Sequence, residues 1–250
     1  MTLNACAQAL RDHDPDRFGA MMAARPADRP LLATLYALNL ELARAPFQSA
    51  EPMLAEMRLQ WWGDRLAEMG QGSAPPLHDV LTPLWETWGT RGGALTPLVE
   101  ARRRDCAREP FHDADEVIAY VDATAGGLMQ AAAGALGASG PPVADQARGA
   151  GLAAWLRALP ALTAMNMGFA RPDPAPARAL AAEGLAALDR ARRAPAPRRA
   201  AAALFAGTGA RALLRAIADG ADPFSDQPLP SEFRRRAALA RLALMGNWRA

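Results

Sequence analysis

The sequence has little of what a β-sheet or a disulfide-linked protein needs. Aromatic residues make up only 6% of its 250 residues and Val, Ile and Thr are sparse, whereas Ala and Leu dominate a hydrophobic fraction of 51%. Because Ala and Leu favour helices and β-branched residues favour strands, this composition predicts an all-α protein. The two cysteines, Cys6 and Cys106, have neither metal-ligand spacing nor a disulfide framework, which indicates a reducing compartment.

Long apolar runs and a surplus of one charge are also missing. No run of about 18 apolar residues occurs, so we expect no membrane-spanning helix, and Arg11, Asp12 and Asp14 interrupt any apolar signal core. With 28 basic and 26 acidic residues the net charge is +2, which argues against a nucleic-acid partner. The 3 histidines lack the spacing of a zinc site. We therefore predict a cytoplasmic protein with at most a peripheral membrane contact.

Apolar residues recur with helical spacing along most of the chain. Gly149, Ala150 and Gly151 are small enough for a close helix crossing, and Pro160 is expected to interrupt the same helix. His78 has no evident partner and is interpreted as a surface residue. Other helices are predicted at 31–45, 51–69 and 200–218. We predict a single domain over residues 1–250.

An acidic pair lies near the middle of the chain. Asp105 and Glu109 are four residues apart on a predicted helix, which would place both carboxylates on one face before Pro110 ends the pattern. Such a pair can hold a divalent cation for a phosphorylated ligand. It can equally form a solvated face that pairs with the arginines at 102–104. The spacing alone leaves both interpretations open.

A longer pattern around this pair resembles the second acidic motif of the squalene/phytoene synthase family. That motif is D-x-x-x-D, an aromatic residue, D-E-L-x-x-Y and a V-A-G-x-V-G-like run. The matching positions here, in the same order, are Asp105, Glu109, Phe111, Asp115, Glu116, Val117, Tyr120 and residues 124–129. The resemblance implies an isoprenoid-synthase-like helical bundle around a central cavity.

The other acidic motifs of that family are lost. Aligned on Tyr36, the first aspartate-rich motif falls on residues 43–47, ARAPF, which contain no carboxylate. On a later helix Arg157 is retained, but Ala158 and Leu162 replace the metal-binding aspartates. The family's prenyl transferases need facing acidic clusters, whose Mg²⁺ ions neutralise the leaving pyrophosphate. The resemblance therefore implies a protein with no catalytic residues.

The pattern of loss resembles a divergent branch, the homologues of a mitochondrial assembly factor for respiratory complex I. That branch carries L-Y-A-F-N-x-E-x-A-R, E-P-M-x-x-E-x-R-L-Q-W-W and L-R-A-L-P. The corresponding segments here are 35–44, 51–62 and 156–160. The resemblance implies a binding or assembly module at the inner face of a membrane.

Two functions thus remain open. In the first, the protein is a non-catalytic module whose partners are respiratory-complex assembly proteins or an isoprenoid ligand, without a cofactor. In the second, it is a Mg²⁺-dependent prenyl transferase acting on isoprenoid diphosphates, with Asp105 and Glu109 as metal ligands. The residues expected to bind a ligand are Asp105, Glu109, Arg157, Arg58, Trp62 and Tyr36.

Two features keep their own alternatives. Trp61 and Trp62 are adjacent on a predicted helix and can be core and rim packing or part of a ligand site. The last predicted helix carries Arg234, Arg235 and Arg236 on one side and leucines on the other. It can lie on an anionic membrane surface, dock on a partner or close the bundle.

Overall fold

The computed structural model describes residues 3–248, and within them every regular element is helical. The nearest approach to a strand is one isolated bridge between Phe111 and Phe169. The prediction of an all-α protein is confirmed. No helix in residues 3–248 is both long and apolar enough to cross a bilayer. The chain divides into two compact units, one ending at Ala107 and the other beginning at Arg108; the single domain over residues 1–250 stays a prediction.

The first unit contains seven helices among its described residues, and short 3₁₀ turns connect several of them. The helices are α1 (Leu3–His13), α2 (Pro15–Ala23), α3 (Arg29–Arg44), α4 (Pro52–Gly70), α5 (Leu81–Trp88), α6 (Thr96–Glu100) and α7 (Arg103–Ala107). Proline occupies the first turn of α2, α3 and α4, where its missing N–H costs no hydrogen bond.

Helix α3 is the buried helix of the first unit. Apolar side chains make up most of the surface of this helix, so it is buried on nearly all sides. Its Leu32, Leu35 and Leu38 are inaccessible to solvent. The buried hydroxyl of Thr34 lies 2.9 Å from the hydroxyl of Thr87 on α5 and is thereby satisfied. This packing fixes the C-terminal end of α3, which carries the remains of the first acidic motif.

The second unit contains six α-helices among its described residues. They are α8 (Ala114–Val121), α9 (Gly127–Ala135), α10 (Pro141–Ala164), α11 (Pro174–Arg192), α12 (Ala210–Ala218) and α13 (Glu232–Met245), with a π-helical turn at Asp122–Gly126 between α8 and α9.

Glycines allow α10 to approach its neighbours closely, as predicted. A Cβ atom on Gly149 would lie 2.5 Å from Cγ of Leu188 and 2.8 Å from the carbonyl oxygen of Gly184, both on α11. A Cβ atom on Gly151 would lie 2.5 Å from Cγ1 of Val121 at the end of α8. Helix α10 therefore contacts two sides of the second unit through positions that only glycine fits.

Two of the predicted helix boundaries are wrong. Helix α10 continues through Pro160 to Ala164. The proline removes one backbone N–H donor, and because it lies near the C-terminal end, only a short part of the helix follows it. The helix predicted at 200–218 begins only at Ala210. Gly207 and Gly209 precede it with φ angles of 86° and 78°, which a helix cannot contain.

We predict that Gly149→Ala lowers the free energy of unfolding by about 1–3 kcal/mol, because the added methyl group overpacks the contact between α10 and α11. Urea denaturation followed by circular dichroism measures the change. Gly134→Ala on α9 is the matched control, since nothing lies within 4 Å of its Cβ position. That control should be neutral or stabilising by up to about 1 kcal/mol. Equal effects of the two substitutions would contradict the packing argument.

Candidate functional site

The structure corrects the geometry expected of the acidic pair. Helix α7 ends at Ala107, and Arg108 adopts a left-handed φ of 52°. Glu109 follows outside the helix and is exposed. The cause is local: Pro110 disfavours helical backbone at the residue that precedes it. Asp105 and Glu109 therefore do not share a helical face, which was the premise for assigning both as metal ligands.

Asp105 is held as a buried ion pair. Its side chain is 5% exposed and accepts a hydrogen bond of 3.2 Å from Nη1 of Arg102. Arg103 points elsewhere and donates to Glu56 on α4 and to Glu100 on α6. Hydrogen bonds to Glu100 and Glu56 raise the pKa of Arg103 above its ordinary value. These pairs attach α7 to α4 and α6. Asp105 does pair with one of the arginines at 102–104, but its side chain is buried and not solvated.

The residues present do not fit the magnesium site of prenyl transferases. Within residues 3–248 no three His, Cys, Asp or Glu side chains converge closely enough to hold a metal ion. Mg²⁺ binding needs several oxygen ligands in octahedral geometry. Asp105 already neutralises an arginine, and Ala43, Arg44 and Phe47 stand where the first motif would supply carboxylates.

A cleft of about 220 Å³ opens in the first unit beside the lost first motif. Helix α4 contributes a cation and two aromatic rings from positions that share one face, and α3 contributes a carboxylate from its last turn. The lining residues are Glu41, Ala45, Gln48, Arg58, Trp61, Trp62 and His78. The cleft thus brings together Arg58 and Trp62, two of the predicted ligand-binding residues.

His78 completes the aromatic wall of the cleft. Its ring centroid lies 5.4 Å from that of Trp61 and 5.1 Å from that of Trp62. Its Nδ1 accepts hydrogen bonds from the backbone N–H groups of Val80 and Leu81, at 3.1 and 3.4 Å, where α5 begins. These bonds fix the plane of the ring. The interpretation of His78 as a simple surface residue was therefore wrong.

Unpaired polar groups line the cleft. The side chains of Glu41, Gln48 and Arg58 make no hydrogen bond or ion pair within the part of the chain that the structure describes. A carboxylate, an amide and a guanidinium beside two tryptophans suit a group with an apolar body and an anionic end, which Arg58 would bind.

Helix α4 extends the cleft into an exposed apolar surface. Met53, Met57 and Trp61 recur every four residues on one face, and their exposed fractions are 75%, 62% and 38%. Leu54 and Phe47 are exposed beside them. We call the stripe of Met53, Met57 and Trp61 the α4 face. Trp62 turns inward and is buried, so the expectation of core and rim packing holds for this pair.

The remaining predicted site residues lie elsewhere in the two units. Tyr36 is buried in α3; burial raises the pKa of its hydroxyl to about 12, despite the nearby charge of Arg17. In the second unit, Nη2 of Arg157 on α10 donates to the carbonyl oxygen of Thr208 at 3.5 Å. Neither residue lines the cleft. Their assignment as ligand-binding residues stays a prediction.

Sequence reasoning missed Glu41, Gln48 and His78 as members of one site. Glu41 precedes the lost first motif by two residues and belongs to no acidic pattern, and His78 follows a loop with no local signal that points back to α4. The detectable signal was the sequence Arg58 to Trp62, where i, i+3 and i+4 spacing places Arg58, Trp61 and Trp62 side by side.

Comparison with known proteins identifies the class. The chain is similar to a dehydrosqualene synthase whose crystal structure was determined in complex with a ligand: the TM-score is 0.75 at 12% identity, covering 96% of this chain and 94% of that one. The protein thus has the all-α isoprenoid synthase fold, as predicted. Residues 10–156 match the squalene/phytoene synthase family, and the chain belongs to that family. No curated protein matches it.

We predict that neither cysteine reacts readily in the folded protein. Burial raises the pKa of Cys6 and of Cys106 to about 11, and the charges of Asp79 and Glu56 respectively add to that effect. At pH 8 only about 0.1% of such a thiol is thiolate, the reactive form. Titration with Ellman's reagent should therefore show slow release of chromophore until urea is added, when both thiols react. Rapid labelling of the native protein would contradict this prediction.

Proposed function

We propose that this member of the squalene/phytoene synthase family is a non-catalytic binding or assembly module whose α4 face and adjoining cleft bind a partner protein. The observation that carries the proposal is the α4 face itself. Soluble proteins rarely leave contiguous large apolar side chains on their surface without an interaction to account for them. Methionine is also common on binding surfaces, because its flexible thioether adapts to different partners.

The cleft adds specificity to that surface. An apolar partner segment can cover Met53 and Met57 while one of its side chains enters the cleft against Trp61. Arg58 would then pair with a carboxylate of the partner, since it has no ion pair within the described residues. A buried aromatic anchor with one charge-assisted hydrogen bond is typical of the centre of a protein interface.

The partner we propose is respiratory complex I or one of its assembly intermediates. The support is the resemblance of residues 51–62 to E-P-M-x-x-E-x-R-L-Q-W-W of the assembly-factor homologues. That segment is the first part of α4 and includes Met53, Arg58, Trp61 and Trp62. The stretch that resembles the branch is therefore the stretch that forms the proposed binding surface.

We predict that Met53→Ser combined with Met57→Ser impairs this role without unfolding the protein. Both side chains are exposed, so their loss removes contacts with a partner rather than core packing. In cells of the source organism that lack the gene, the wild-type chain should restore assembled complex I on native gels, and the double variant should restore far less. Burial of each methionine contributes roughly 1.5–3 kcal/mol, so the loss of both should weaken binding by about 100-fold or more.

Met22→Ser combined with Met165→Ser is the matched control. Those methionines are also exposed but lie outside the α4 face, so this variant should restore complex I fully. Normal complex I in cells without the gene would overturn the choice of partner. Equal loss in the two double variants would overturn the assignment of the α4 face.

The alternative function is a Mg²⁺-dependent prenyl transferase acting on isoprenoid diphosphates, and membership of the family favours it. We predict no pyrophosphate release when the purified protein is incubated with farnesyl or geranylgeranyl diphosphate and Mg²⁺ or Mn²⁺, because the carboxylates for a metal cluster are missing. A coupled phosphate assay measures release. If the wild-type protein released pyrophosphate and the Asp105→Asn variant did not, the non-catalytic proposal would be overturned and Asp105 would be a metal ligand.

A further inference from the structure

Helix α13 has apolar residues on two opposite faces, whereas an ordinary surface helix has them on one. One face is buried through Ala238 and Leu242. The opposite face carries Phe233, Ala237, Ala240 and Leu244 at i, i+4, i+7 and i+11 spacing, which is one continuous helical stripe. Phe233 is 81% exposed and Leu244 is 75% exposed. We call this stripe the outer face of α13.

Arginines border the outer face on both sides. At 100° per residue, Arg236 lies on one edge, and Arg234 and Arg241 lie on the other. All three are exposed. The acidic residue on the helix is Glu232 in its first turn, which pairs with Arg235 and Arg236 at 3.1 and 3.2 Å. With Arg235 included, the helix carries four arginines and one glutamate.

A second basic segment meets the C-terminal end of the helix. Arg198 donates a hydrogen bond from Nη2 to the carbonyl oxygen of Leu244, where a cation also interacts favourably with the helix dipole. Arg199, Arg193 and Arg192 are exposed in the same segment. Leu229, just ahead of the helix, is a further exposed apolar side chain. Apolar and basic groups therefore occur together at this part of the second unit.

We propose that the outer face of α13 lies on an anionic phospholipid bilayer, with Phe233 and Leu244 inserted among the acyl chains and the bordering arginines bound to phosphate headgroups. The arrangement favours lipid over a protein partner, because cations stand on both edges of a narrow apolar stripe, as in helices that lie in the plane of a membrane interface. Arginine extends its apolar stem along such a surface and binds phosphate through two N–H groups.

This inference is independent of the proposed partner of the α4 face. It concerns a different helix in the other unit, and its test needs neither complex I nor an isoprenoid diphosphate. Failure of one proposal therefore leaves the other intact.

The test is sedimentation of the purified full-length chain with vesicles. We expect co-sedimentation with mixed phosphatidylcholine and phosphatidylglycerol vesicles, little with phosphatidylcholine alone, and release by high salt, because salt screens the contact between arginine and phosphate. Arg236→Gln with Arg241→Gln should weaken binding by about 25-fold, taking roughly 1 kcal/mol for each arginine near the membrane surface. Phe233→Ser with Leu244→Ser should weaken binding to a similar degree.

Matched variants control for charge and for apolar area. Arg11→Gln with Arg25→Gln removes two exposed arginines of the first unit, and Leu77→Ser removes an exposed leucine from a loop. Both should bind anionic vesicles like the wild type. Absence of wild-type binding, or equal loss in control and α13 variants, would overturn the proposal. Light scattering provides a further test. If it showed a stable dimer that Phe233→Ser with Leu244→Ser dissociates, a second copy would occupy the face, and this result would also overturn the proposal.

Discussion

The close approach of α10 to α11 is the constraint on which the second unit depends. Because Gly149 has no side chain, Leu188 can pack against the backbone of α10. The lack of a side chain at Gly151 likewise leaves room for Val121. Dispersion forces fall steeply with separation, so contact at this distance recovers attraction that a gap of even one methyl group would lose. The position of Arg157, one of the predicted site residues, follows from that packing because it lies on the same helix.

A different constraint governs the first unit, where short backbone irregularities decide which side chains can meet. The left-handed residue Arg108 ends α7 before Glu109, and the 3₁₀ turn at Ala45–Phe47 lies within the segment that replaces the first acidic motif. Prolines at positions 46 and 110 make both irregularities understandable, since neither residue can donate a backbone hydrogen bond. What remains at this end of α3 is a cleft lined by charged groups of both signs and by two indole rings.

Much of the fold was predictable, because helix formation is encoded locally by composition, spacing and proline position. The site was less so. The spacing of Arg58, Trp61 and Trp62 on one helix is legible in the sequence, but His78 reaches them across a loop whose path no local pattern specifies. The acidic pair shows the opposite error: a regular four-residue spacing suggested a shared face, and the preference of the residue before Pro110 overrode it. Likewise the helix predicted at 200–218 was shortened by Gly207 and Gly209, whose positive φ angles are favoured by the lack of a side chain.

The two exposed apolar helices of this protein differ in a way that bears on their occupants. The α4 face has methionines and a tryptophan beside a cleft whose Arg58 and Glu41 make no ion pair within residues 3–248, so the partner that we propose would offer shape and complementary charges at defined points. The ordered surface of a protein meets this requirement, which supports the partner that we propose. The outer face of α13 has a narrow apolar stripe with cations along both edges, and its requirements are met by any anionic surface with an apolar layer beneath it. A fluid bilayer satisfies that requirement without fixed positions, so the two surfaces support the two different occupants that we propose for them.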